Sequence, residues 1–507
     1  MQQLESSPAV KSADYYTEAH RPQFHFSPEA NWMNDPNGMV YYDGEYHLFY
    51  QYYPDGDVWG PMHWGHAVSP DMVNWEHLPI ALYPDKYGYI FSGSAVVDKQ
   101  NTTGFKTGEH DPLVAIFTYH DTTGQRAGKN DFQTQGIAYS NDRGRTWTKY
   151  EGNPVIPNPG LRDFRDPKVS WHEESQQWVM IFARGDRVQI YNSPNLKDWT
   201  LASEFGEEQG THGGVWECPD LFQLPIEGSN GQSKWVMLVS LNPGGANGGS
   251  GTMYFVGEFD GKTFINDNSA ETVLWLDYGR DNYAGVSWSD IPKEDGRRLF
   301  MGWMSNWQYA TRVPTSPWRS AMTIPRVLSL SSTDQGLRVK TSPVKELNTL
   351  RGISTDLAER MIAGSMDLSD EFEFDISTSE MNLEWDLSGS TATEVGIELT
   401  NAKGQSVAIG YDKARNEFYF DRANAGKVDF SDKFAGKFPA PNPSNASSIQ
   451  MKMYIDVASV ELFAQDGAVV MTDIFFPDEP FEQINFFAND GEAKLVSGQV
   501  WQLKRAW

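Results

Sequence analysis

Asn31-Trp32-Met33-Asn34-Asp35-Pro36-Asn37-Gly38 runs directly into the apolar stretch Met39-Val40-Tyr41-Tyr42, and its reading decides the fold. Pro36 fixes its own φ, and Asn37-Gly38 accepts the positive φ of a tight turn. Asp35 is therefore expected at the lip of a strand rather than on a swinging loop. Alone, Asn-Asp-Pro-Asn-Gly reads as an Asx-capped turn. The arrangement recurs, however, each time with a carboxylate: Phe164-Arg165-Asp166-Pro167 precedes Lys168-Val169, and Trp216-Glu217-Cys218-Pro219-Asp220 precedes Leu221-Phe222.

Working outward, almost every apolar run between about residues 22 and 330 is four to eight residues long. Each is bounded by Gly, Pro, Asn or Asp, which is the punctuation of strands. The runs recur as units starting near residues 35, 91, 166, 217 and 281, a spacing of roughly sixty residues. Three of the units end in related stretches: Ser69-Pro70-Asp71 to Trp75, Ser140-Asn141-Asp142 to Trp147, and Ser193-Pro194-Asn195 to Trp199. Five such units predict a five-bladed β-propeller over residues 22–331. Innermost strands of a propeller begin at the same end of the central channel, so Asp35, Asp166 and Glu217 are expected to meet there. Residues 1–21 read as an N-terminal extension and 332–351 as a surface linker. Beyond the linker, runs such as Phe372 to Ile376, Val395 to Leu399 and Val407 to Tyr411 alternate apolar and polar. They predict a second all-β domain, a sandwich, over residues 352–507. It carries no second carboxylate lip and no chemistry is assigned to it; packing and carbohydrate binding both remain open roles.

Composition narrows the function. The chain has 507 residues, with 18 Trp and 22 Tyr, which suit sugar-facing surfaces as well as β cores. A net charge of -27 repels phosphates and argues against nucleic acid or an anionic membrane as partner. The single cysteine, Cys218, excludes an internal disulfide framework and a cysteine zinc site. No run of 18 apolar residues is present, and Met1 to Asp14 lacks the apolar core of a signal peptide. The chain thus reads either as cytosolic or as a mature exported form given a starter Met.

Two carboxylates flanking a bond are the minimum for glycoside hydrolysis, and three candidates are present. The amides beside Asp35 and the charge of Arg165 beside Asp166 are expected to keep both acids ionised. The apolar neighbours Trp216 and Cys218-Pro219 are expected to raise the pKa of Glu217, as a general acid requires. His63, His66 and His77 crowd the first unit, but no carboxylate cluster at ligand spacing accompanies them, so they read as ordinary core or surface histidines. Cys218 has no evident histidine partner, which argues against a nucleophilic thiol.

The four stretches Trp32 to Gly38, Phe91-Ser92-Gly93-Ser94, Phe164 to Pro167 and Trp216 to Pro219 resemble, in order, the signatures of glycoside hydrolase family 32. That family holds invertases, inulinases, levanases and fructosyltransferases. The likeness runs from about Tyr16 to the C-terminus and is nearest to bacterial exo-acting levanases and exo-inulinases. Tyr46 to Gln51, Trp59 to His66 and Gly302 to Tyr309 carry it. The resemblance implies a five-bladed propeller followed by a β-sandwich, and a retaining exo-β-fructosidase acting on levan or inulin and on sucrose. It makes Asp35 the nucleophile, Glu217 the acid/base and Asp166 the transition-state stabiliser. It places Asn34, Gln51, Trp59, Phe91, Ser92, Arg165 and Trp307 around the fructose, with no metal or organic cofactor. A monomer outside the cell is expected, because fructan polymers do not enter cells intact. A sucrose-restricted invertase, a fructosyltransferase, an inverting arabinan or xylan hydrolase and a silent fructan-binding propeller are the competing readings.

Overall fold

The computed structural model describes residues 15–445 and 447–507, so the part of the N-terminal extension before residue 15 lies outside the described residues. The described part of that extension is packed. Arg21 is fully buried and binds Glu18, Ser27 and two backbone carbonyls, and Tyr16 stacks on Trp507 at 4.6 Å.

The predicted propeller is present. Five antiparallel sheets follow one another in chain order, with inner strands Asn31–Tyr42, Tyr89–Val97, Phe164–His172, Val215–Pro225 and Tyr283–Ser287. Successive inner strands pack side by side, and the fifth packs against the first. The ring is closed by a short parallel pairing in which Asn31 and Trp32 lie opposite Trp318 and Arg319. Buried Lys168 ties the third inner strand to its neighbours: its ammonium donates to the Ser287 carbonyl and lies 3.5 Å from buried Asp220.

All five inner strands share one local device. Near the start of each, the antiparallel register slips: at Met33/Pro36, Ile90/Gly93, opposite Ile181/Ala183 for the Arg165–Lys168 stretch, at Glu217/Asp220 and at Tyr283/Val286. A bulge adds an unpaired residue and re-aims the side chains around it. Asp166, Cys218 and Ala284 take positive φ values of 66°, 44° and 54° at these slips. The recurrent Pro and Gly of the lip motifs thus mark bulges, and the bulges turn the strand starts toward the axis.

The linker expected over 332–351 is largely strand. Arg326–Thr333 pairs with Gly336–Pro343 as the outer hairpin of the fifth blade. Leu328, Leu330 and Val339 bury against Phe222, Leu224 and Val236 of the fourth blade, while the intervening serines face outward. The connection to the second domain is the short 3-10 turn Lys345–Leu350. The predicted second β domain follows, with one correction: Phe372 to Ile376 is an irregular segment, and Arg351–Leu357 and Arg360–Asp367 are strands. The long final strand Gln483–Leu503 joins two layers, pairing early with Glu394–Thr400 and later with Ser379–Asp386. A single apolar core, including Trp385, Ile397, Met451, Leu462 and Phe486, lies between them.

Candidate active site

One pocket of about 320 Å³ opens at the end of the propeller where the inner strands begin. It brings together all ten residues singled out from the sequence: Asn34, Asp35, Gln51, Trp59, Phe91, Ser92, Arg165, Asp166, Glu217 and Trp307. Seven come from the first four inner strands, Gln51 from the neighbouring strand Glu45–Tyr53, Trp59 from the loop after it, and Trp307 from the loop after strand Arg298–Met304 of the fifth blade. Asn34, Gln51, Ser92 and Asp166 form the buried floor, Asp35 and Glu217 keep an open edge to the cavity, and Trp59 stands at the mouth with 38% of its surface exposed.

Each carboxylate is fixed by specific partners. Asp35 accepts from Ser92 Oγ at 2.6 Å and from Asn34 Nδ2 at 3.0 Å. Asn34 is itself held by the indole N–H of Trp32 at 2.7 Å. Asp166 accepts the backbone N–H of Cys218 at 3.0 Å, while its own N–H donates to Thr118 Oγ1. Glu217 accepts from Arg165 Nη2 at 2.7 Å and from the hydroxyl of buried Tyr283. The Cys218 thiol lies 3.5 Å from Asp35 and 3.6 Å from Asp166, and burial with those neighbours pushes it well above the usual thiol range. It bridges two acids as a neutral S–H group.

The electrostatics differ from the sequence expectation. Desolvation by the pocket walls raises the Asp35 pKa, and the nearby Glu217 adds to this against the hydrogen bonds of Ser92 and Asn34. Burial pushes Asp166 up to about 7; Arg165 opposes, and Glu217 and Asp35 reinforce the rise. The expectation that both acids are freely ionised is therefore corrected: three carboxylates share one buried guanidinium. That guanidinium serves Glu217 and Asp163, each at 2.7 Å, and stands 3.9 Å from Asp166. Glu217, expected in an apolar setting, faces Arg165 and Tyr283 instead. Trp216 turns its indole into the core and donates to the Thr211 carbonyl.

This has a stability consequence. A carboxyl that holds its proton up to about pH 7 when folded, against 3.8 ordinarily, adds stability below about pH 4 that is lost as pH rises through 7. Asp166→Asn, which cannot ionise, is expected to raise the denaturation midpoint at pH 8. The gain is on the order of 3 kcal/mol, shrinking toward pH 4, as activity is lost. Denaturant titrations at the two pH values check this, and an equal shift at both would contradict it.

The sequence reading missed several lining residues: His120, Gln125, Phe132, Gln133, Asp163 and Asn242. It also missed Tyr283. His120 stacks on Phe91 at 4.2 Å, nearly parallel, and thereby sets the face that Phe91 shows the cavity. Only Asp163, two residues before Arg165 and bonded to it at 2.7 Å, lay near a residue already singled out. The crowded histidines have separate partners: His63 the Pro61 carbonyl, His66 the ring of His47, and His77 the Tyr16 hydroxyl.

A propeller whose axial pocket joins paired carboxylates, an arginine and aromatic walls defines a glycoside-cleaving enzyme. Residues 25–341 match the glycosyl hydrolases family 32 N-terminal domain and residues 346–502 the glycosyl hydrolases family 32 C terminal. The chain is 54% identical to the levanase of Bacillus subtilis (strain 168) over 504 residues, covering 98% of this chain and 72% of that one. It is 38% identical to the extracellular exo-inulinase of Aspergillus awamori over 525 residues, 97% of this chain and 96% of the relative. The crystal structure of exo-inulinase from Aspergillus awamori superposes with a TM-score of 0.88 at 37% identity, covering 97% of this chain and all (100%) of that one. The protein belongs to glycoside hydrolase family 32 and is a glycoside hydrolase.

Proposed function

We propose that the protein is a retaining exo-β-fructosidase that removes terminal fructose from levan and inulin and also cleaves sucrose. The observation that carries this reading is the convergence of Asp35, Asp166 and Glu217 in one pocket whose floor is the buried Asn34, Gln51, Ser92 and Asp166. A closed floor admits a chain end rather than a chain middle. The names of the Bacillus subtilis and Aspergillus awamori relatives support fructan as substrate, and the word extracellular in the latter supports export. Among the described residues no helix is long and apolar enough to cross a membrane.

In this mechanism Asp35 attacks the anomeric carbon and Glu217 protonates the departing oxygen. Water, deprotonated by Glu217, then releases fructose from the covalent intermediate. Ser92 and Asn34 aim the Asp35 carboxylate, and Arg165 with Tyr283 fixes Glu217. Asp166 holds fructose hydroxyls as the oxocarbenium-like charge develops. Asn34, Gln51, Ser92 and Arg165 supply hydrogen bonds, and Trp59, Phe91 and Trp307 supply apolar walls. Attack needs ionised Asp35, so its raised pKa places the acid limb of activity above the ordinary carboxylate range.

The deciding experiment is a product time course on levan, inulin and sucrose. Free fructose from the first time point supports exo hydrolysis; early short oligomers would overturn it, and activity on sucrose alone would make the protein an invertase. Glu217→Gln is expected to slow sugar leaving groups by about 10²–10⁴-fold while sparing the first step on 4-nitrophenyl β-D-fructofuranoside, whose leaving group needs little protonation. Equal losses on both would remove Glu217 from the acid role.

A further inference from the structure

One wall of the pocket comes from the end of strand Leu113–His120, the short helix Thr122–Arg126 and the start of strand Gln133–Ser140. The hydrogen bonds along it run in a single direction. The backbone N–H of Phe164, which can only donate, donates to Gln133 Oε1 at 2.8 Å. That end of the Gln133 amide is therefore its carbonyl, and its Nε2 is the group that donates to His120 Nδ1 at 3.1 Å. With Nδ1 accepting, the imidazole proton sits on Nε2, which donates to Gln125 Oε1 at 3.0 Å. Burial holds the His120 pKa down at about 4, so the ring stays neutral and the relay keeps its sense across the working pH range. His120 is thus no acid or base here; it is a fixed plate beneath Phe91.

The relay ends at Gln125, with its carbonyl committed to His120 and its NH₂ group as the free end. Among the lining residues only Trp59 and Gln125 are exposed, and both therefore stand at the mouth. The floor is taken by buried Asn34, Gln51, Ser92 and Asp166, which suit one terminal sugar. The rest of the substrate can extend only through the mouth.

We infer that Gln125 is a specificity-determining residue, whose oriented amide donates to a hydroxyl oxygen of the sugar that leaves, whether the next fructosyl unit or glucose. The inference rests on the β-fructosidase reading above. It explains why a backbone amide, two glutamines and a histidine are arranged so that no step in the chain is reversible by rotating a side-chain amide.

Gln125→Met keeps length and shape but removes both the donor and the acceptor of the His120 N–H. Gln125→Glu keeps an acceptor for His120 and presents no amide donor. Both variants are expected to lose about tenfold in kcat/KM on levan and sucrose, the usual scale for one neutral hydrogen bond. On 4-nitrophenyl β-D-fructofuranoside, which has no leaving sugar, they should stay within about twofold of the parent, and Gln125→Glu, which keeps the His120 bond, should have an unchanged thermal midpoint. Equal losses on sugar and aryl substrates would show a general disturbance of the site and overturn the inference. So would unchanged rates on all three substrates, or a Gln125→Glu variant that keeps the parent's substrate ratio. A parent protein that releases no fructose from levan or sucrose would remove the underlying reading instead, and the inference with it.

Discussion

Asp35→Asn is expected to leave a folded protein whose fructose release falls by roughly 10⁴–10⁶-fold, the scale on which loss of a covalent nucleophile acts. The substitution changes one oxygen into an amide at constant volume. Asn34 Nδ2 can still donate to the oxygen kept at the Oδ1 position, and the new NH₂ at the Oδ2 position can donate to Ser92 Oγ, which turns from donor to acceptor, so the lip geometry is kept. Desolvation disfavours the Asp35 carboxylate in the parent, and removing that charge leaves stability equal or higher. Three readouts separate chemistry from folding: thermal midpoint, fructose binding by calorimetry, and single-turnover rate on an aryl fructoside. Retained binding with no turnover supports the assignment. Turnover at the parent rate would place the attacking group elsewhere. A complementary check uses Glu217→Gln, which should accumulate a fructosyl adduct on Asp35 when fed the aryl fructoside. Intact mass would then carry one added sugar, and its absence after a burst of nitrophenol would count against a covalent intermediate.

The architecture was legible because its repeating device is chemical. Pro and Gly at each lip, followed by a short apolar run, record a bulge and then an inner strand, so the blade count and the meeting of the three carboxylates could be read in advance. What was not legible follows from the period of a strand. Successive side chains point to opposite faces, so Trp216 cannot surround the carboxylate of Glu217, and flanking residues misjudge its environment. Arg165 illustrates the same limit: adjacent to Asp166 in sequence, it bonds across to Glu217 and back to Asp163. Tyr283 and the Gln133–His120–Gln125 relay reach the pocket through tertiary pairing and left no local trace. The outer hairpin of the fifth blade was hidden for a different reason. Its outward side mixes Val327, Ser329, Arg338 and Lys340, so no clean alternation marks it, and the apolar Leu328, Leu330 and Val339 find their surface only on the fourth blade.

The largest stability effect is expected away from the pocket, at Arg326, where the domains meet. This fully buried guanidinium binds Asp277 of the propeller at 2.9 Å, and Glu461 and Thr472 of the second domain, the latter at 2.6 Å. Glu461 also receives His25 at 2.9 Å, and His25 reaches Asp456 at 2.8 Å. Burial alone would lower the His25 pKa, but its two carboxylate partners outweigh this and push it up to about 9. A histidine with a raised pKa stabilises fully below about 6.5 and loses that contribution as pH rises through 9, so the parent should weaken on the alkaline side. Arg326→Met leaves Asp277 and Glu461 buried without their shared cation, and breaking a buried pair in this way costs about 3–5 kcal/mol. Adding Glu461→Gln to Arg326→Met removes one of the stranded charges, so the double variant should recover part of the loss. That recovery distinguishes an electrostatic defect from a packing defect, which the second substitution would only deepen. The single variant should also regain stability toward acid, as the stranded carboxylates take up protons, which is opposite to the slope expected of ordinary buried carboxylate pairs. Denaturant midpoints for the parent, Arg326→Met, Glu461→Gln and the double variant between pH 5 and pH 10 measure all of this, and additive losses with no pH dependence would mean that the domains are held by apolar packing alone.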